Sequence, residues 1–497
     1  MKRVAFVAVT LLCLLLASCG GGGGGDSAPV AAQPPAAQTP VTAPPTAPAL
    51  AASGYPGEPS SCTLAGQKLW VDAYMADQYF WNANRATPNA AAATIDDYFQ
   101  SQLFVPTDRY SFAQEIAFYN QVVIDGTRTG YGYSLAFSDS TQTKLQVRLV
   151  EPLGPAAAAG LQRGDTVLAI DGFSVTNIVN GSLTSVTTSG ITRTFTLENA
   201  TGGARSISMV SRLYSLSPVL TDKVLTAATG AKVGYLAYQE FATNSLPALG
   251  AAFNRFRAAG VSELIVDLRY NGGGSVTVAR ALASLMGGTD LSGKIFASIR
   301  FNAQNKASDF DYPFVSTTAA LPVLPLEGLT QVFFITSPNT ASASELVVNS
   351  LYPFKKVVTI GGATFGKPFG FQPRSACNTV YNAVNFETFN AAGAGRYTSG
   401  LAATCSVPDD LSKALGDPAE KRIAAALGYI QTKACPAVAD TAGDLLASSQ
   451  ISQSGKNGIN SVIAKETHSR TATITIAKPK NLEPAFGEVS RPRMIAD

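Results

Sequence analysis

The chain has 497 residues, 46% of them hydrophobic and 14% charged, which is enough for two or three packed domains and too apolar for a mainly disordered protein. Lysine and arginine number 37 against 34 acidic residues, so the near-neutral balance excludes an electrostatic nucleic-acid binder. A single histidine, His468, leaves little support for His-rich metal sites or imidazole-based catalysis, and no cofactor or metal is expected.

The first 19 residues combine a basic start (Lys2, Arg3) with an apolar run from Val4 to Ala17 that is too short to span a bilayer. Leu16-Ala17-Ser18-Cys19 follows and resembles a bacterial lipobox. The resemblance implies cleavage before Cys19 and acylation of that residue, anchoring an otherwise soluble protein. Gly20 follows Cys19 where an aspartate would suggest inner-membrane retention, so the expected location is the outer membrane, facing the periplasm. The Gly-, Ala- and Pro-rich stretch over 20–55 has no apolar periodicity and reads as a tether.

Beyond Cys13 and Cys19 the chain keeps Cys62, Cys377, Cys405 and Cys435, an even number that suits two disulfides in an oxidising compartment. Three pairings are possible, and the expectation is Cys377 with Cys405 and Cys62 with Cys435. A four-cysteine zinc site lacks the close C-x-x-C spacing.

A small helical region is expected over 56–105. Trp70, Tyr74, Tyr79, Phe80, Tyr98 and Phe99 recur at roughly helical spacing as candidate core, and Thr94-Ile95-Asp96-Asp97 reads as a helix start. Over 106–215 the pattern turns to short β-rich runs between Gly, Pro and Asp turns. Within it, Gly130-Tyr131-Gly132-Tyr133-Ser134 and the run Ala159-Gly160-Leu161-Gln162-Arg163-Gly164-Asp165 through Gly172 resemble a PDZ domain of the bacterial protease type. The resemblance implies that Gly130, Tyr131, Gly132, Tyr133 and Ser134 form a peptide-binding loop on which a ligand adds as an extra strand. A PDZ-like fold without peptide binding is the alternative.

From about 216 to 435, strands alternate with helices: Val233 to Tyr238, a helix near Leu246 to Ala259, Glu263 to Arg269, a helix from Val276 to Met286, then Gln331 to Thr336 and Lys356 to Ile360. That alternation predicts an α/β core, a mixed sheet with flanking helices. Asp267-Leu268-Arg269-Tyr270-Asn271-Gly272-Gly273-Gly274-Ser275 ends one strand in a glycine-rich turn where backbone N–H groups can converge on an oxyanion. Asn339-Thr340-Ala341-Ser342-Ala343-Ser344-Glu345 puts a serine at a strand-to-helix turn, and Thr364-Phe365-Gly366-Lys367 follows the next parallel strand to the same sheet edge.

Together, T-A-S-A-S-E and T-F-G-K resemble the motifs of the carboxyl-terminal processing peptidases, or tail-specific proteases, over roughly residues 70–430. That resemblance implies a crotonase-like/ClpP-like core and a serine/lysine dyad at Ser342 and Lys367, with Lys367 neutral so that it can take the serine proton. It also implies oxyanion donors at Gly273 and Ala343. The family glutamine falls four positions after the lysine, where this chain has Phe371, so Gln372 is the candidate for orienting Lys367. Glu345 is given no catalytic role. Neither G-x-S-x-G nor S-x-x-K occurs. The function expected is therefore a lipid-anchored periplasmic serine endopeptidase acting on unstructured protein or peptide substrates. The alternative is a non-catalytic PDZ peptide-binding lipoprotein on the same scaffold. Residues 436–497 are expected to be a loose tail, and the oligomeric state is left open.

Overall fold

A computed structural model describes residues 57–59, 61–138, 143–183, 186–198, 203–315, 323–437 and the backbone of 493–495. The lipobox with Cys19, the tether and His468 lie outside the described residues.

Thr63 caps the helix Leu64–Gln78, its hydroxyl accepting the Gly66 N–H at 3.2 Å. One face of that helix (Trp70, Val71, Tyr74, Met75) packs with Tyr79, Tyr98, Phe99 and Tyr381 into a single apolar cluster. Thr94 caps Ile95–Gln100 by accepting the Asp97 N–H at 3.0 Å. The chain then stays with the part that includes Thr379–Asn382 for longer than the sequence boundary at 106 suggested. Phe112–Glu115 pairs antiparallel with Thr379–Asn382, which places Arg109 and Tyr110 beside the loop that carries Lys367.

The PDZ part is an antiparallel sheet of Tyr133–Phe137, Leu145–Val150, Thr166–Ile170, Thr192–Glu198 and Ala204–Val210. Asp171 and Gly172, at φ 51° and 79°, turn the hairpin between Thr166–Ile170 and Phe173–Ser174. Alternate residues of the sheet, among them Leu135, Val147, Val167, Phe195 and Leu197, fill its core. Thr127–Gly130 pairs with Arg212–Ser215, so the domain leaves and rejoins the rest of the chain through a two-stranded stem.

The main sheet runs, in spatial order, Val219–Thr226, Lys232–Tyr238, Glu263–Asp267, Gln331–Thr336, Lys356–Gly361 and Cys405–Ser406. Its first pair is antiparallel and every later pair is parallel. Parallel strands need crossovers, and helices cover both faces as a result. Leu236, Leu264, Val266, Val332 and Phe334 pack beneath Leu246–Ala258, Val276–Gly287 and Ala343–Leu351. Tyr235, Ile265, Phe333, Ile335 and Ile360 pack beneath Lys421–Thr432 on the other face. The three chemically marked segments all leave the carboxyl ends of adjacent parallel strands, where loops from neighbouring strands meet.

The disulfides differ from the expected pairing: Cys62 joins Cys377 and Cys405 joins Cys435, with Cα separations of 5.7 and 5.4 Å. Packing explains the exchange. Tyr381, in the hairpin that Cys377 turns, packs against the helix after Cys62, while Cys435 follows the helix laid over the sheet whose edge strand holds Cys405.

At the junction between the PDZ part and the main sheet, Glu151 is buried and accepts Gln239 Nε2–H at 2.8 Å and Ser217 N–H at 3.4 Å. Burial pushes its carboxyl up to about 7, against the pull of these donors and of Arg128. A raised acid binds its proton more tightly in the folded state, so its contribution to stability is complete below the unfolded value of 4.5 and is lost as pH rises towards 7. Thermal unfolding from pH 5 to 8 should show a loss of up to about 3 kcal/mol that is absent in Glu151→Gln.

Candidate active site

The turn after Glu263–Asp267 is fixed from below by a buried guanidinium. Arg269 Nε donates to both oxygens of Asp267 at 2.9 and 3.0 Å, Nη1 to Asp409 at 2.7 Å, and Nη1 and Nη2 to Glu420 at 2.8 and 2.9 Å. Burial opposes its charge, yet Asp267, Asp409 and Glu420 hold its pKa well above the ordinary value. Burial would likewise lift Asp409, but Arg422, Arg269 and Arg163 hold its carboxyl well below the usual range. Asp409 also accepts the Tyr270 hydroxyl and Arg163 Nη2 at 2.9 Å, and Arg163 Nη1 reaches Tyr270 Oη at 2.6 Å. A PDZ residue therefore touches the residue next to Asn271.

Asn271 closes the turn onto the serine loop. Its Nδ2 donates to Tyr238 O at 3.0 Å, and its own carbonyl accepts Ala341 N–H at 3.1 Å and Ser344 Oγ–H at 3.0 Å. Its Oδ1 accepts Gly273 N–H at 2.9 Å, so an oxyanion at that donor would have to share or replace this bond. Ala343 opens the helix Ala343–Leu351, where an N–H has no partner within the helix.

Ser342 lies at φ 61° and ψ −116°, a conformation rare for any residue with a Cβ. Its backbone turn is held by Glu345, which stands in capping-box relation to it. Only the carboxylate half of that box is closed: Glu345 Oε2 accepts Ser342 N–H at 2.8 Å, while the buried Ser342 Oγ has no hydrogen-bond partner among the described residues. The same Oε2 accepts Lys367 N–H at 2.8 Å, and Oε1 accepts Gly366 N–H at 2.7 Å and the Thr364 hydroxyl. The backbone nitrogens of Ser342 and Lys367 thus stand one hydrogen bond each from a single oxygen atom. Burial raises the Glu345 pKa, with its four donors pulling the other way.

Lys367 is fully buried, its Nζ 4.0 Å above the Phe371 ring and 5.9 Å from that of Tyr110. Phe371 occupies the position expected of the family glutamine. Gln372 instead pairs with Asn385, its N–H donating to Oδ1 at 3.1 Å and its Oε1 accepting Nδ2–H at 3.2 Å. The lysine loop is held from outside by Tyr110, which donates to Gly366 O at 2.7 Å, and by Arg109, which donates to Phe365 O and Thr398 O at 3.0 Å. Gly366 is at φ 92°, and a Cβ there would lie 2.3 Å from Thr398 O, so no larger residue fits.

In the PDZ part, Tyr131, Tyr133 and Ser134 are buried, and the loop is braced by Ala156 N–H to Tyr131 O and Glu151 N–H to Gly132 O, both at 2.8 Å.

Sequence reasoning missed Glu345 as a clamp, although S-x-x-E before a helix is the capping-box signal. It also missed Arg109, Tyr110 and Asp409, which no local pattern marks. Glu345→Gln replaces two acceptor lone pairs by an amide NH2 facing donors, so stability should fall by about 3 kcal/mol in thermal unfolding.

Residues 232–389 match the model of peptidase family S41, and residues 121–188 match that of the PDZ domain. The carboxyl-terminal-processing protease of Picosynechococcus sp. is 28% identical over 250 residues, covering 50% of this chain and 56% of the relative. The chloroplastic C-terminal processing peptidase of Tetradesmus obliquus is 25% identical over 258 residues, covering 49% and 52%. The chain spans about half the length of the curated relatives it matches. A solved structure from Bacteroides fragilis, described as a candidate S41 protease, aligns with a TM-score of 0.62 at 26% identity, covering 73% of this chain and 97% of that one. In motif and in match alike, the chain is similar to the carboxyl-terminal-processing peptidases, residues 232–389 to peptidase family S41 and residues 121–188 to a PDZ domain.

Proposed function

We propose that the protein is a lipid-anchored periplasmic serine endopeptidase that cuts unstructured or tail regions of proteins through an acyl-enzyme on Ser342. The observation that carries this reading is the single carboxylate of Glu345 that holds the amides of Ser342 and Lys367, which a simple binding scaffold has no need to align.

In the reaction, Ser342 Oγ attacks the scissile carbonyl and its proton passes to a neutral Lys367 Nζ. The packing of Nζ against Phe371 and Tyr110 keeps water away from the amine. Negative charge on the tetrahedral intermediate falls to the N–H groups of Ala343 and Gly273. Collapse of the intermediate breaks the C–N bond, and Lys367 returns the proton to the leaving amine. Water then repeats the sequence on the ester and frees Ser342. The PDZ part supplies peptide recognition through Gly130–Ser134, and its contact from Arg163 to Tyr270 ties its position to the turn bearing Gly273.

Lipid anchoring rests on the lipobox at Cys19, and an oxidising compartment suits the two disulfides. Cys19→Ser should abolish incorporation of labelled palmitate and release the protein from the membrane fraction.

The activity is tested by degradation of an unfolded protein such as casein by the chain from residue 56 onwards, under oxidising conditions. Wild type should cleave, and Ser342→Ala and Lys367→Ala should each lose at least about 1,000-fold in kcat. Wild type as inert as both variants, yet able to bind peptides, would instead mark a peptide-binding lipoprotein on a protease scaffold, the reading that Phe371 in the glutamine position favours.

A further inference from the structure

The strand Gly273–Ser275 has two edges. On one, Gly273 O accepts Phe241 N–H at 2.9 Å and Ser275 N–H donates to Phe241 O at 2.8 Å. Strand alternation therefore directs the N–H and C=O of Gly274 to the opposite edge. Gly274 is at φ 139°, and a Cβ on it would lie 2.4 Å from Phe241 O, so the strand approaches Phe241 too closely for any side chain.

The opposite edge is occupied by Arg493–Ile495, which runs parallel with Gly274 opposite Met494. In that register the Gly274 N–H faces Arg493 C=O, and Ile495 N–H faces Gly274 C=O. The segment also lies against the Ala343–Leu351 helix and against Phe369–Gly370, just beyond Lys367. All three pieces of the candidate active site thus border one short extended strand.

We propose that the Gly274 edge is a peptide-binding edge that takes extended polypeptide by strand addition, and that residues 493–495 of this chain occupy it in cis as a competitor of substrate. The pairing uses backbone groups alone, so the edge accepts many sequences, as β-augmentation generally does. Three residues of ladder, set against the entropy of ordering them, make an occupant that exchanges. Being part of the same chain, it competes intramolecularly, at an effective concentration set by the chain that connects it. Its effect on turnover rests on the peptidase reading, whereas its binding does not.

The test therefore starts without catalysis. A fluorescent peptide with the sequence of residues 486–497, carrying a terminal amide so that carboxylate capture by the PDZ loop does not contribute, is titrated by anisotropy into two Ser342→Ala chains. One is full length and the other stops after residue 490. The shortened chain should bind the peptide at least about tenfold more tightly, and full-length chain with Ile495→Pro, which removes the facing N–H, should behave as the shortened one does. In the Ser342 form, shortening should raise kcat/KM on casein about tenfold, and the free peptide should inhibit competitively. Equal binding by the two chains, or binding by neither, would overturn the proposal. A tenfold difference in binding with no cleavage by any form would leave it standing and overturn the peptidase reading instead.

Discussion

The serine turn and the lysine loop converge on one buried carboxylate, that of Glu345. The amides around Glu345 belong to two loops that leave neighbouring parallel strands, and a bond from Phe365 N–H to Thr340 O at 2.9 Å adds to the link between them. The positive φ of Ser342 is costly, and it persists because an anion at the first turn of a helix rewards an N–H pointed back at it. In this way one side chain offsets local strain, caps a helix and ties the turn of Ser342 to the backbone of Lys367. The four donors offset only part of what burial of a charge costs, and burial still raises the Glu345 pKa.

The second constraint is the guanidinium of Arg269, placed at the far side of the same turn. Its three carboxylate partners come from a strand, a loop and a helix N-terminus separated widely in sequence. Removing any one would strand charge in the interior. The cluster makes the glycine turn a rigid floor, and it extends through Asp409 and Tyr270 to Arg163. The PDZ part is thereby wired, by charge-assisted bonds, to the backbone that is proposed to receive an oxyanion.

Local signals carried much of this architecture. Val276 to Met286, Leu246 to Ala259 and Gln331 to Thr336 were legible because apolar periodicity and turn residues mark helices and buried strands wherever they pack. The serine turn and lysine loop were legible as motifs. The pairing of cysteines was not, because it follows from which hairpin a helix packs upon, and that is decided by aromatic burial across more than 300 residues. The Asp409–Arg269 pair and the support of the lysine loop by Arg109 and Tyr110 were hidden for the same reason. Glu345 is the instructive case: its capping pattern is local, yet its role depends on a loop 20 positions away that the pattern does not mention.

The two-stranded stem under the PDZ part has an architectural consequence. Because Thr127–Gly130 and Arg212–Ser215 pair side by side, the domain enters and leaves at one point, the geometry of a cassette inserted into a host. Recognition modules of other specificity could be spliced at that point without redrawing the host sheet. The graft would communicate with the chemistry only if it also presented a forked cation where Arg163 now meets Tyr270 and Asp409. Modular exchange in this scaffold is therefore limited less by where the chain is cut than by one side chain in the graft.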